Sequence, residues 1–177
     1  MSKWKKCHLG EILTLQRGYD LTYSQMQEGN IPVVGSNGII GFHNTKTTNA
    51  PCLTIGRSGS IGNVFFFNHD CWTHNTVLYV KDFKDTHPKF AYYLLSSLDF
   101  MQYNVGSAVP TLNRNHLHQI NIILPPPAEQ KAIVEILTSL DDKIENLNKQ
   151  NLVLESLIQT LFKSINPNPL MKKVKNE

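Results

Sequence analysis

Two polar loops hold most of the side chains suited to gripping a charged ligand. Gly56-Arg57-Ser58-Gly59-Ser60-Ile61-Gly62-Asn63 sets three glycines at a spacing of three around one guanidinium and two hydroxyls. Glycines so spaced let a backbone turn tightly and come close to a ligand. Arginine is the commonest reader of guanine edges and a strong phosphate ligand, and serine is a hydroxyl partner. The second loop, Gly106-Ser107-Ala108-Val109-Pro110-Thr111-Leu112-Asn113-Arg114-Asn115-His116, gathers amide, hydroxyl and guanidinium groups without an acid. That chemistry suits nucleic-acid contact. Asn113 is equally placed to cap a short helical turn starting at Arg114. Ser36-Asn37-Gly38 and Thr73-His74-Asn75 are smaller clusters of the same type. The DNA-contact candidates are therefore Asn37, Arg57, Ser58, Ser60, His74, Asn75, Ser107, Thr111, Asn113 and Arg114. The competing reading is a plain glycine hairpin with Arg57 in a surface ion pair.

Catalytic and metal chemistry find less support. His69-x-Cys71-x-x-His74 lacks a fourth ligand at zinc spacing. Glu129-x-Lys131 resembles half of a nuclease site, yet it stands at a helix start without a partnering Asp, where a carboxylate favours the helix dipole. No Gly-x-Ser-x-Gly elbow occurs. The expectation is a non-catalytic chain that needs no cofactor.

The elements that must position these loops divide at Leu124. Before it, β-type runs at Ile31–Gly35, Cys52–Gly56, Asn63–Phe67, Thr76–Val80 and Gln119–Leu124 alternate with turn signals. A helical pattern spans Pro88–Tyr103. After it, Pro125-Pro126-Pro127 forms a stiff junction, and neither Gly nor Pro recurs until Pro167. The pattern predicts a helix from about Ala128, since proline suits a helix's first turn.

That helix repeats strictly. Ile133, Leu137, Leu140, Ile144, Leu147, Asn151, Leu154, Ile158, Leu161 and Ile165 follow a 4-3-4-3-4-3-4-3-4 spacing. A simple amphipathic helix drifts from a 3.5-residue repeat over such a length, so the strictness predicts a coiled coil with Asn151 as its one polar a position. No second rod of this length is present, so the expected mate is a second copy of the chain. Ile136, Leu152, Leu157 and Phe162 lie outside the seam.

The fold class expected is α+β: a β-rich mixed domain over 1–124, then a proline junction and an intermolecular antiparallel coiled-coil helix over 125–165. A basic tail follows at 166–177. The net charge of +3 divides as +3 in the body, −2 in the rod and +2 in the tail, which suits an anionic partner at the body. With 41% hydrophobic and 18% charged residues, the 177-residue composition is globular. Cys7, Cys52 and Cys71 form no CxxC and cannot all pair, which points to a reducing compartment. Absence of an apolar span or signal-peptide core argues against membranes and secretion and for the cytoplasm.

Trp4, Leu9-Gly10-Glu11-Ile12, Gly18, Ile31-Pro32-Val33, Gly56-Arg57-x-Gly59-x-Ile61-Gly62, Gly106-Ser107 and Leu124-Pro125-Pro126-Pro127-x-Glu129-Gln130-Lys131-x-Ile133 together resemble a specificity subunit of a type I restriction-modification system. The resemblance implies a target recognition domain that reads half of a bipartite site in double-stranded DNA. It also implies a helix that spaces the halves and docks methyltransferase (modification) subunits, with a restriction endonuclease/translocase subunit completing the assembly. The family pattern has two such domains and two helices, and this chain has one of each, so a half-subunit that homodimerises is expected. The alternative is a homodimeric coiled-coil adaptor whose glycine-rich loops bind a protein and not DNA.

Overall fold

The computed structural model describes residues 4–165, so the expected basic tail lies outside the described residues. The chain forms two compact units, Met1–Val134 and Glu135–Glu177. Its class is α+β, with β-sheets and a long C-terminal helix.

In the first unit the chain enters through β1 (Lys5–His8), a one-turn helix α1 (Leu9–Ile12) and β2 (Thr14–Arg17). At four residues each, these elements are too short to display a period in the sequence. Their partners are distant: β1 pairs with β9 (Asn121–Leu124), setting Lys5 opposite Leu124. The His8 backbone N–H donates to Glu11 Oε1 at 2.7 Å, starting α1.

The main sheet is antiparallel, ordered β2, β8 (Val77–Asp82), β5 (Cys52–Gly56), β6 (Val64–Phe67). All five residues of β5 are buried, the polar Thr54 at its middle included. A second sheet, ordered β4 (Gly38–His43), β3 (Ile31–Gly35), β7 (Trp72–Thr73), carries the hairpin that turns at Ser36–Asn37. Gly38 closes that turn with a φ of 99°, a left-handed value that a side chain resists.

The core collects Leu9, Leu13 and Leu15 from the entry segment, Leu53 and Ile55 from β5, and Leu78 from β8. Ala91 and Leu95 of α2 (Pro88–Ser96) pack on it, with Leu112 and with Leu117 of α3 (Arg114–His118). The helix expected over Pro88–Tyr103 thus ends at Ser96. Ser97 Oγ turns back to donate to Leu94 O at 2.7 Å. Asp99 then caps a separate 3-10 turn, Phe100–Tyr103, by accepting from Met101 N at 3.0 Å.

Helix α4 runs Pro127–Ile165, with the third proline as its first residue. Its opening turns belong to the first unit, where Gln130 is buried. The Gln130 side chain accepts from His87 N and donates to Pro125 O, both at 3.0 Å. Trp4 Nε1 donates to Glu129 Oε2 at 2.6 Å. In the second unit, Leu140, Ile144, Leu147, Leu154, Ile158, Leu161 and Ile165 are each 46–78% exposed. A single copy therefore leaves an apolar seam open to water. Among the described residues, no helix is long and apolar enough to cross a membrane.

Candidate nucleic-acid interface

The glycine loop is a tight excursion between β5 and β6. Gly56 N donates to Asn63 O at 2.8 Å, and Gly62 N to Gly56 O at 2.9 Å. Gly59 and Gly62 take φ values of 80° and 85°. A Cβ on Gly56 would sit 2.2 Å from Ser60 O, so this glycine makes room for its own loop and not for a ligand. A Cβ on Gly59 would meet nothing within 4 Å, leaving the tip open.

Against this loop lies the second polar loop. Ser58 and Thr111 form an antiparallel bridge. Gly59 N donates to Pro110 O at 3.0 Å, and Leu112 N to Arg57 O at 2.9 Å. Asn104 stiffens the second loop from beneath, its Oδ1 accepting from Gly106 N at 2.9 Å and Thr111 N at 2.8 Å. Asn113 caps α3 by accepting from Asn115 N at 2.9 Å, which leaves Arg114 exposed on the first turn.

The two smaller clusters join the same face. Thr76 O accepts from both Arg57 N and Ser58 N, at 2.8 and 3.1 Å. Ser36 N donates to Thr76 Oγ1 at 3.3 Å, and His74 N donates to Val34 O at 2.9 Å. Asn63 Nδ2 reaches Ser36 O at 3.1 Å and Asn37 Oδ1 at 3.3 Å. Hydrogen bonds thus tie four loops, distant in sequence, into one continuous surface.

The predicted residues occupy different depths of it. Asn37, Asn113 and Arg114 are exposed, and so is Ser107 at the loop tip. Arg57, Ser58, Ser60 and Thr111 are half-buried. His74 is held at both ring nitrogens, by Thr76 Oγ1 at 3.0 Å and Leu21 O at 3.2 Å. The Asn75 side chain donates to Asp20 Oδ1, and the Asn75 main-chain O accepts from Arg57 Nη1 at 3.5 Å. Both therefore shape the surface from within.

Where the glycine loop and the second polar loop meet is a concavity of about 390 Å³ lined by Arg17, Arg57, Thr111, Asn113 and Arg114 together with the apolar Leu78, Val105 and Leu112. Arg17, absent from the sequence candidates, arrives because β2 pairs with β8 and sets Arg17 opposite Leu78. An arginine immediately before Gly18 was the only local hint. Arg17 Nη2 lies 3.5 Å from Asp20 Oδ1, an exposed pair. Among the described residues, neither Arg57 nor Arg114 has a carboxylate partner within 4.0 Å. Burial first, and then the Arg17 charge, push the Arg57 guanidinium below its ordinary value. The surface-ion-pair reading of Arg57 therefore lacks its acid.

The zinc pattern separates on folding. His69 Nδ1 lies 3.8 Å from Cys71 Sγ, while His74 turns to Leu21 and Thr76. Cys7, Cys52 and Cys71 are buried free thiols.

Fold and site together define a loop-presenting, β-rich domain continued by a long amphipathic helix. The family model for the type I restriction modification DNA specificity domain matches residues 1–156. The MjaIX specificity subunit of Methanocaldococcus jannaschii is 36% identical over 80 residues, 43% of this chain and 18% of its own length. The EcoprrI specificity subunit of Escherichia coli is 26% identical over 158 residues, 86% of this chain and 39% of that subunit. The crystal structure of the type I restriction-modification S subunit from M. genitalium superposes with a TM-score of 0.74 at 20% identity, over 94% of this chain and 46% of that one. The chain belongs to the type I restriction modification DNA specificity domain family. It spans less than half the length of these relatives. A specificity domain is a non-catalytic component of such a system.

Proposed function

We propose that this chain reads one half of a bipartite DNA site and that two copies, joined through their helices, form the complete reader. One observation carries the reading: the glycine loop and the second polar loop meet at a hollow holding Arg57 and Arg114, which among the described residues have no carboxylate within 4.0 Å. A polyanion supplies the charge those guanidiniums lack, and exposed amides and hydroxyls beside them suit base edges. Membership of the specificity family supports the same conclusion. The type I enzymes named among its relatives make methyltransferase and restriction endonuclease/translocase subunits the proposed partners, in the reducing cytoplasm that three free thiols suit.

The open seam of α4 supports self-association, because an apolar stripe of this length is stabilised by a second helix. An antiparallel pair sets a layers against d layers. Ile133 meets Ile165, Leu137 meets Leu161, Leu140 meets Ile158, Ile144 meets Leu154 and Leu147 meets Asn151, with the two-fold axis at Lys149. Two-fold symmetry makes the target a palindrome with a non-specific spacer. From residue 133 to 165 the helix rises about 48 Å at roughly 1.5 Å per residue, which bounds the half-site separation near ~14 base pairs.

Methylation mapping with the modification subunits present tests this reading. Two inverted short blocks around a fixed spacer are expected. An asymmetric target, or duplex affinity indifferent to salt, would sink it.

A further inference from the structure

We propose that the Arg17–Arg57–Arg114 concavity seats a backbone phosphate of the DNA and does not read a base. This rests on the DNA-recognition reading above and assigns the chemistry of that surface's hollow. A guanine edge is neutral overall, and one guanidinium saturates its O6 and N7. Three guanidiniums around one hollow call for a ligand that carries negative charge and accepts from several donors at once. A phosphodiester does both. Among the described residues, only Arg17 of the three has a carboxylate within 4.0 Å, and that pair is exposed, so the hollow keeps a cationic excess.

The surroundings fit the same ligand. Thr111 and Asn113 add neutral polar groups to the lining, while Leu78, Val105 and Leu112 are its apolar part. Arg57 is anchored through Asn75 O at 3.5 Å, and its backbone is fixed on both sides, by Thr76 O and by Leu112 N. The fixed backbone and this contact restrict where the guanidinium sits. Such contacts set the register of a protein on DNA and carry no sequence information. In a two-fold dimer each half-site would be pinned by one such seat.

The test uses the full chain, a set of random-sequence duplexes, and the site selected from a randomised duplex pool. Arg57→Ala and Arg114→Ala are expected to lower affinity by the same factor, within about twofold, on every duplex, and to flatten the slope of log affinity against log salt by about 0.9 for each phosphate released. Arg57→Lys is expected to restore most of both, since a phosphate accepts a point charge whereas bidentate guanine recognition needs the planar fork. Unchanged melting temperature of Arg114→Ala, whose side chain is exposed, keeps the comparison free of folding effects. Loss confined to one base-pair position of the selected site, with Lys failing to rescue, would overturn the proposal in favour of guanine reading. Unchanged binding by both Ala variants would overturn it as well. A parent chain that shows no salt-dependent duplex binding would instead remove the DNA reading itself.

Discussion

Ser58 and Thr111 face each other in an antiparallel bridge, and through it the glycine loop and the second polar loop become one surface. Neighbouring bonds from Gly59 N to Pro110 O and from Leu112 N to Arg57 O extend the bridge on both sides. A change in either loop should therefore be felt in the other. Asn104 is where this coupling is most open to test. Asn104→Ala removes the acceptor for Gly106 N and Thr111 N, at about 1–3 kcal/mol for donors left unpaired, less where water replaces it. Duplex affinity should fall although Asn104 lies outside the arginine-lined hollow. Thermal melting and binding isotherms of the same preparation would check both halves; unchanged affinity would mean the loops act independently.

Gln130 turns a motif residue into a structural one. Buried at 1% exposure, it closes two backbone groups, His87 N and Pro125 O. Gln130→Leu keeps the bulk and orphans both, so a loss of about 2–4 kcal/mol is expected, read as a lowered urea midpoint. A variant as stable as the parent would show that water reaches both groups.

The seam predicts an assembly phenotype. Leu147→Lys places a charge at the middle of the proposed helix pair, at a cost on the order of several kcal/mol. Sedimentation should show dimer for the parent and monomer for the variant. A parent chain that stays monomeric at about tens of micromolar ends the dimer proposal.

Helix length should set spacer length. Deleting Leu147–Val153 removes one heptad, keeps the seam in phase and shortens the rod by about 10 Å. The spacer of the methylated target should shrink by about three base pairs, or binding should be lost, while the two blocks stay the same. A spacer indifferent to the deletion would rule out the antiparallel geometry.

His118 makes stability depend on pH. Its Nε2 accepts from Leu15 N at 3.0 Å, a bond only the unprotonated nitrogen can accept. Burial first, then Arg114 and Lys84, hold its proton affinity below the ordinary value of about 6.5. The unfolded chain thus binds the proton first on acidification. The full contribution stands above pH ~6.5 and is lost as pH falls from there through the lower folded value. Melting temperatures measured at intervals from about pH 7.5 to 5 should decline in that window, and His118→Asn should flatten the decline.

Features that depend on near neighbours in the chain were legible before folding. The strict 4-3 spacing from Ile133 to Ile165 requires a long helix with one apolar seam, and α4 runs Pro127–Ile165. Proline at its first turn and the Asn113 cap follow from local backbone and side-chain chemistry. The Arg57 and Arg114 loops were visible as polar, glycine-punctuated clusters. Their meeting was not, because it depends on backbone bonds between residues far apart, Ser58 with Thr111 and Arg57 with Thr76. Arg17 shows the limit most clearly. Beyond the glycine that follows it, its neighbours in sequence mark no binding residue; pairing of β2 with β8 carries it to the hollow. The same holds for His74, whose ring nitrogens go to Leu21 and Thr76 once the strands close around it. Periodicity, caps and turns are written over a few residues, whereas a surface assembled from four loops exists only after sheet register brings them together.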